Sequence, residues 1–296
     1  MNTTIRRALL SAAALTLVVG PGLASCSKSD ETATSGEATG TAAATGETAA
    51  GAPAGPEGDT EKNARALLKA MSDYLAAQTD ISLAYDSIFE VVSADHQKLQ
   101  LATSGTVDLT RPNKVRTTRQ TGFSNTEMVF DGTTLSFLGK GQNAYIQTPV
   151  SGTVDELIDQ LRDKFHRQLP GADLLQSNDF ETLLADVTDV KDLGSGVIGG
   201  VECDHLAFRA KDVDWQIWIA QGEKPYPCRY VITSKDVDQA PQFTMQIREW
   251  RSGAGAGAGS AAFTPPAGAK QLDIADLANL RETSDLPENF RTGEDK

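Results

Sequence analysis

Residues 197–234, VIGGVECDHLAFRAKDVDWQIWIAQGEKPYPCRYVITS, decide the fold of this 296-residue chain. Gly199-Gly200 is a turn signal, and the residues around it alternate between apolar and polar in short runs. The stretch therefore predicts consecutive strands joined by short connections, which form antiparallel neighbours. Further strands are expected on both sides of it, in residues 187–194 and 242–250.

The same two-residue period begins upstream at Ile81 and predicts about six more strands. Asp131-Gly132 is a strong two-residue hairpin signal between two of them, and short turns between neighbours indicate an antiparallel meander. The six lie in ISLAYDSIFEVV (81–92), KLQLATSGTVDLT (98–110), KVRTTRQTGF (114–123), TEMVF (126–130), TTLSFLG (133–139) and NAYIQTP (143–149).

Two amphipathic helices are predicted, one before the first strand and one between the two groups of strands. In residues 61–78 the apolar side chains recur at three- and four-residue spacing on one face. Thr153 to Glu156 form a capping box, after which a narrow apolar stripe begins. A shorter helical turn is expected near 178–185. The apolar positions are Ala64, Leu67, Leu68, Met71, Tyr74 and Leu75 on the first helix, and Val154, Leu157, Ile158, Leu161 and Phe165 on the second.

This order of elements predicts an α+β fold with a single large, curved antiparallel sheet of about 11 strands. A helix placed between two halves of a sheet most simply covers the concave face, which makes the fold a half-open barrel. We expect that domain to span residues 61–269. Residues 253–262, GAGAGAGSAA, are expected to be a surface loop, because they lack the Gly-Lys-Ser/Thr ending of a phosphate loop. Residues 270–296 are expected to form a short helix and an acidic tail.

The first 25 residues are typical of a bacterial lipoprotein signal peptide. Arg6 and Arg7 precede an apolar core that is too short to span a bilayer as a helix. The core ends in the lipobox Leu23-Ala24-Ser25-Cys26, in which Cys26 is acylated, for example with palmitate, and becomes the new N-terminus. The alternative is an ordinary signal peptide that happens to be followed by a Cys. In Gram-negative envelopes, Ser27 after the Cys predicts sorting to the outer membrane, at its periplasmic face.

Residues 26–60 are predicted to be the lipidated Cys and a disordered tether. From 27 to 60 the chain has no Leu, Ile, Val or aromatic residue, so it cannot bury enough apolar area to offset the entropy of ordering. The whole chain has 27 Lys and Arg against 40 Asp and Glu, a formal charge of −13, which argues against nucleic acid as a partner. Three Cys and three His argue against a multi-metal centre, and no cofactor is indicated.

The run VIGGVECDHLAFR…VDWQIWIA…PYPCRYVITSK and the segment FTPPAGA at 263–269 resemble a family of predicted periplasmic proteins of unknown function. That family is placed among the LolA/LolB/LppX-like half-open barrels, and the similarity spans about 61–269. The resemblance implies a LolA-like fold that binds acyl chains or lipoprotein lipid moieties between a curved sheet and helical lids. One relative in the wider group is the sensor domain of an envelope-stress regulator, so a protein partner is implied as the other option. The Arg that holds the lids of LolA-like carriers is not assigned by motif.

Cys203 and Cys228 remain after lipidation of Cys26, and they fall on strands separated by one strand in sequence. Because an exported chain meets an oxidising compartment, we expect a disulfide between them. The alternative is a zinc site formed by Cys203, His205 and Cys228, although no fourth ligand stands out.

The chain is not expected to be an enzyme. Asp204, Asp212 and Asp214 can be read as a carboxylate pair for glycoside cleavage, but acids beside a turn are more commonly solvated. Ser195 lies in the turn Gly-Ser-Gly, and the sequence has no Gly-x-Ser-x-Gly elbow. A hydrolase is therefore the least favoured of three functions.

The favoured function is a lipid-anchored periplasmic binding protein that holds a hydrophobic ligand under a helical lid. The alternative is an envelope sensor or scaffold lipoprotein that has a solid core and acts through a protein partner. Apolar helix faces usually just fill a core, so the same residues fit both hypotheses. The candidate ligand-lining residues are Leu67, Met71, Leu75, Leu157, Leu161 and Phe165.

Overall fold

A computed structural model describes residues 57–163, 169–257, 259, 262–274, 286–287, 290 and 292. The predicted signal peptide, Cys26, the tether up to residue 56 and Phe165 lie outside the described residues. The helices are α1 (Glu57–Ala77), α2 (Val154–Asp163) and α3 (Asp179–Leu184), with a 3₁₀ turn at Ala172–Leu175. The strands are β1 (Asp80–Val92), β2 (Lys98–Thr110), β3 (Lys114–Gln120), β4 (Asn125–Phe130), β5 (Thr134–Gly139), β6 (Ala144–Pro149), β7 (Val187–Ile198), β8 (Val201–Ala210), β9 (Val213–Ala220), β10 (Pro227–Ser234), β11 (Gln242–Ser252) and β12 (Lys270–Leu272). None of the described helices is long and apolar enough to cross a membrane.

In the part of the chain that the structure describes, twelve strands join one sheet in the order β12-β6-β5-β4-β3-β2-β1-β11-β10-β9-β8-β7. β1 lies near the centre and pairs with both β2 and β11. From it, β2 to β6 run outward as a meander, and β11 back to β7 form the other half. All neighbours are antiparallel except β12, which runs parallel to β6. The predicted α+β fold with a single, mostly antiparallel sheet is confirmed.

The two ends of the domain differ from the predicted boundaries. Lys270–Leu272 was expected in a helix and tail, but it forms β12, and the Lys270 N–H donates to the Asn143 carbonyl at 2.9 Å. A strand of three residues has no periodicity to detect, which is why the sequence predicted about 11 strands rather than 12. At the other end, α1 begins at Glu57, before the expected boundary at residue 61.

The two halves of the sheet bury their inner faces under different helices. α1 and α3 cover β7 to β10, where Trp215 stacks on Phe208 with ring centroids 3.8 Å apart and both side chains are buried. α2 covers the half that contains β2 to β5, and its apolar stripe packs on those strands. Register shifts bend the ladders between β1 and β11, β7 and β8, and β9 and β10, because bulges increase the local bend and twist of a sheet.

The predicted capping box fixes the start of α2. The Thr153 N–H donates to Glu156 Oε2 at 2.8 Å, and the Glu156 N–H donates to Thr153 Oγ1 at 3.2 Å. These reciprocal bonds satisfy N–H groups that the first turn of a helix leaves without partners. The helix then directs Val154, Leu157, Ile158 and Leu161 onto the sheet, where all four are buried.

Candidate functional site

A cavity of about 610 Å³ lies between the inner face of β1–β6 and a lid, by which we mean α2 and the 3₁₀ turn. β11 closes one side with Phe243, Met245 and Ile247. The volume falls within the roughly 300–1,000 Å³ that is usual for ligand sites. The cavity opens to solvent at the C-terminal end of β1, near Val92 and His96. The sheet and the lid therefore do not form one continuous solid core.

Inward-facing residues that pair across β1–β6 divide the cavity wall into rungs, one for each level of the ladder. The two rungs at the α2 end are apolar except for two threonines, so they offer a ligand mainly hydrocarbon contact. They are Ile81–Leu109–Val115–Phe130–Leu135–Thr148 and Leu83–Val107–Thr117–Met128–Phe137–Ile146. The second rung lines the cavity throughout, whereas in the first only Val115, Leu135 and Thr148 do, and Ile81, Leu109 and Phe130 are fully buried.

The next level, which we name the polar rung, consists of Tyr85, Gly105, Arg119 and Thr126 on β1 to β4. Gly105 lets the Tyr85 ring lie against the sheet, because a Cβ at Gly105 would stand 2.6 Å from both Cζ and the hydroxyl oxygen of Tyr85. Burial raises the pKa of the Tyr85 phenol, and the positive charge of Arg119 lowers it in part. The phenol is therefore a neutral hydrogen-bond donor beside a permanent cation.

The mouth of the cavity carries acidic side chains. Glu90, Asp236 and Asp238 line it together with His96. His96 Nδ1 lies 3.2 Å from Asp238 Oδ2, and Lys98 Nζ lies 3.5 Å from Glu90 Oε2. Burial would raise the pKa of Glu90, but hydrogen bonds from Gln100 and the Gln242 N–H, with the Lys98 charge, lower it overall. This end of the cavity is thus negatively charged at neutral pH.

Arg111, in the turn between β2 and β3, joins the lid to the sheet. Its Nη2 donates to the Leu175 carbonyl at 2.7 Å, and its Nη1 lies 3.7 Å from Asp155 Oδ1 on α2. Burial lowers the pKa of the guanidinium, while the charges of Asp155 and Asp179 raise it. Asp155 also accepts a hydrogen bond from the Ser177 N–H at 3.1 Å. One cation therefore contacts both the helix and the 3₁₀ turn of the lid.

α3, the helix that follows the lid, is joined to α1 through a buried carboxylate. Asp179, which is 1% exposed, accepts a hydrogen bond from the Ser72 hydroxyl. Burial raises the pKa of Asp179 to about 6, although the bonds from Ser72 and the Phe180 N–H, and the charge of Arg111, act to lower it. The carboxylate is thus costly to ionise, and Arg111 reduces that cost.

The structure brings only part of the predicted ligand-lining set to the cavity. Leu75, Leu157 and Leu161 line it. Leu67 and Met71 do not, because α1 lies over the second half of the sheet and places them against the core of β7–β10. Phe165 lies outside the described residues.

The polar rung was not predicted from the sequence. The available signal was the alternation Val115-Thr117-Arg119 on β3, which puts a charged residue on an inward face. A register was needed to see that this face lines a cavity.

Cys203 and Cys228 are two free, buried thiols in the structure, so the predicted disulfide is not formed here. They pack around Ala220, the last residue of the intervening strand β9. Burial raises the pKa of both thiols, and the neighbouring Cys203 thiol raises that of Cys228 further. Cys228 lies at the register shift between Pro227 and Arg229, so it has no partner in the regular ladder with β9. Its thiol interacts with that of Cys203.

The residues considered for metal binding or catalysis have other contacts. His205 stacks on Trp218 with ring centroids 3.9 Å apart, and its Nε2 lies 3.0 Å from Gln216 Oε1. Asp214 lies 3.1 Å from Lys235 Nζ, and Asp204 accepts a bond from Gln221 at 2.7 Å. Within the described ranges no three His, Cys, Asp or Glu side chains are arranged to hold a metal ion.

Most of the chain matches the model of a known protein family. The model of a family described as predicted periplasmic protein (DUF2092) matches residues 64–275, which begin in α1 and end after β12. No curated protein matches the sequence. Solved structures of low identity are similar: Mycobacterium tuberculosis lipoprotein LppX (14% identity, 64% of this chain and 96% of that one, TM-score 0.33), LprF from Mycobacterium bovis (12%, 69% and 96%, 0.39), and the Pseudomonas aeruginosa MucA/MucB complex (15%, 65% and 58%, 0.36).

Proposed function

The chain belongs to the DUF2092 family of predicted periplasmic proteins, and we propose that it is a periplasmic binding protein that holds a hydrophobic ligand, such as an acyl chain, between sheet and lid. The observation that supports this most directly is the cavity of about 610 Å³ with its two apolar rungs. Burial of an acyl chain there would stabilise the complex by about 0.8 kcal/mol for each CH₂ removed from water. Binding of this kind needs no covalent chemistry and no cofactor.

The proposed attachment to the membrane rests on the sequence. Acylation of Cys26 would place the domain at the periplasmic face of the outer membrane, on the tether that ends where α1 begins. A flexible coil of some 30 residues has a root-mean-square reach on the order of 30 Å. The domain could then exchange a ligand with the membrane surface while remaining attached to it.

The proposal is tested with the mature chain carrying Cys26→Ser, so that no acyl anchor is added. Native mass spectrometry of the chain purified without detergent is expected to show a co-purifying lipid. After delipidation, titration with the neutral fluorescent probe N-phenyl-1-naphthylamine should give saturable binding that palmitic acid displaces. A chain that carries no lipid and binds neither compound would contradict the proposal.

A second candidate function, a sensor or scaffold that binds a protein partner, is favoured by one observation. β7 lies at the edge of the sheet, and within the described residues it pairs only with β8. Its Leu193 and Val197 are 50% and 66% exposed, which is unusual for large apolar side chains on an edge strand. An extended segment of a partner could add to this edge as another strand. The cavity argues against the form of this hypothesis in which the domain has a solid core.

We also propose that Cys203 and Cys228 form a disulfide once the chain reaches the oxidising periplasm. The chain, recovered from the periplasm without reductant, is alkylated in denaturant and weighed by mass spectrometry. We expect neither thiol to be labelled, and we expect reduction to destabilise the fold by about 2–4 kcal/mol, since the bond closes a loop of roughly 25 residues. Two labelled thiols would refute the pairing. Cys203→Ala with Cys228→Ala is the control that reduction should leave unchanged.

A further inference from the structure

Between the two apolar rungs and the acidic mouth, the cavity wall formed by the described residues has one level with a positive charge, the polar rung. At the α2 end the two apolar rungs suit a hydrocarbon chain. The polar rung follows, and one level further Ser87 pairs with Thr103. Beyond these the wall turns apolar again with Phe89 and Val91. A ligand that matches this wall has a hydrocarbon part and a polar group a fixed distance from its end.

The charge of that polar group follows from Arg119. Among the described residues that line the cavity, Arg119 is the only Lys or Arg. A guanidinium has five N–H donors in a planar fork, so it can hold the oxygen atoms of a ligand in addition to its contacts within the protein. The fork matches a carboxylate or a phosphate better than it matches an ester or an amide.

Tyr85 adds a second donor on the same side. Gly105 separates Tyr85 from Arg119 on the ladder, and because it has no side chain the phenol reaches across β2 towards β3. A neutral phenol donates one O–H to an acceptor. The carboxylates of Glu90, Asp236 and Asp238 at the mouth repel an anion, so the polar rung is the part of the wall that offers it a counter-charge.

We infer that the cavity takes an amphiphile with an anionic head group, whose carboxylate or phosphate oxygens accept hydrogen bonds from Arg119 and Tyr85 while its hydrocarbon chain lies along the two apolar rungs under α2. This rests on the proposed function, since it names the class of ligand that the same cavity binds.

Three competitors with the same sixteen-carbon chain test the inference: palmitic acid, hexadecyl phosphate and methyl palmitate. Each displaces N-phenyl-1-naphthylamine from the mature chain carrying Cys26→Ser. We expect at least one of the two anions to bind roughly tenfold or more tightly than the neutral ester, since hydrogen bonds to charged groups are the strong ones. The anion that binds more tightly identifies the head group as a carboxylate or a phosphate.

Variants then assign the preference to the polar rung. Arg119→Gln should weaken binding of the preferred anion by roughly tenfold to a hundredfold. It should leave the affinity for methyl palmitate within about twofold of the wild-type value. Tyr85→Phe should weaken binding of the same anion by a few-fold. Arg248→Gln is the matched control, because Arg248 lies on β11 in an exposed ion pair with Asp86 and does not line the cavity. It should leave all three affinities unchanged.

The outcomes separate the two proposals. If the wild-type chain binds the anions and the ester equally, or if Arg119→Gln keeps the preference, the inference is overturned while the proposed function stands. The wild-type comparison needs no variant, so a poorly folded Arg119→Gln does not leave the question open. If neither the probe nor any competitor binds, the proposed function fails and the inference fails with it.

Discussion

Arg111→Met is expected to lower the free energy of unfolding at about pH 7.5 by roughly 3 kcal/mol, since breaking a buried charge contact leaves the remaining charge uncompensated. The guanidinium is mostly buried, donates to the Leu175 carbonyl, and is the cation that acts on the buried Asp179 carboxylate. Methionine fills a similar volume but removes the charge and the donors. The lid would then keep its apolar contacts and the bond from the Val154 N–H to the Pro112 carbonyl, and lose the contacts of Arg111.

The loss of unfolding free energy in Arg111→Met should depend on pH. The folded-state pKa of Asp179, about 6, lies above its ordinary value of 3.8. Between about pH 4 and pH 6 the folded state therefore binds more protons than the unfolded state, and this group's contribution to stability falls as the pH rises through that window. Arg111 lowers the pKa, so its removal raises it further and extends the window above pH 6. The loss at about pH 5, where Asp179 is mostly protonated in either case, should be clearly smaller.

Urea unfolding of the wild-type chain and four variants at about pH 5 and about pH 7.5 measures these effects. Asp179→Asn alone should stabilise the protein by about 1–2 kcal/mol at the higher pH, because it removes a carboxylate that is costly to ionise. Combined with Arg111→Met it should recover much of the loss. Arg248→Met, which breaks an exposed ion pair, should change stability by less than about 1 kcal/mol at both values. An equal loss at both pH values for Arg111→Met would show that Arg111 does not act through Asp179.

Such a result would give the lid a physical description. The lid is attached to the sheet by the contacts of Arg111 with α2 and the 3₁₀ turn, and by the bond from the Val154 N–H to the Pro112 carbonyl at 2.8 Å. The Ser72–Asp179 bond joins the following helix, α3, to α1. Few polar contacts at well-defined points allow a lid to open as a unit without disturbing the sheet. A binding protein whose ligand enters between sheet and lid needs that property.

Local sequence signals predicted the elements of this fold because each signal acts over a few residues. Asp131-Gly132 joins β4 and β5: Gly132 has a φ of 96°, and the Asp131 carboxylate accepts bonds from the N–H groups of Thr133 and Thr134. The capping box at Thr153 likewise marked the start of α2. In both places the residues that carry the signal are the ones that make the hydrogen bonds.

The parts that were missed depend on contacts between residues distant in sequence. Arg111 occupies an ordinary turn in sequence, and its role follows from Leu175, which is brought to it only by the fold. The polar rung requires that Tyr85, Gly105 and Arg119 share one level, and a register one residue different would turn each to the other face. Met71 was assigned to the cavity because an apolar helix face does not reveal which half of the sheet it covers.

Thr117→Trp is expected to weaken binding of N-phenyl-1-naphthylamine and of palmitic acid by roughly fiftyfold or more. Thr117 belongs to the second apolar rung, between Val107 and Met128, and its side chain lines the cavity. An indole there occupies space that a hydrocarbon chain would fill. Excluding three methylene groups at about 0.8 kcal/mol each corresponds to that loss of affinity.

Thr118→Trp is the matched control, because the neighbouring residue on a strand points to the opposite face. Thr118 bonds to the Thr106 hydroxyl at 2.7 Å on the outer face, so the same substitution there enlarges the outer surface and leaves the cavity as it is. Fluorescence titration of both variants, with thermal unfolding to confirm that each folds, gives the comparison. Equal affinities in Thr117→Trp, Thr118→Trp and the wild-type chain would place the hydrophobic ligand outside this cavity, and the proposed function would have to move to another surface of the sheet.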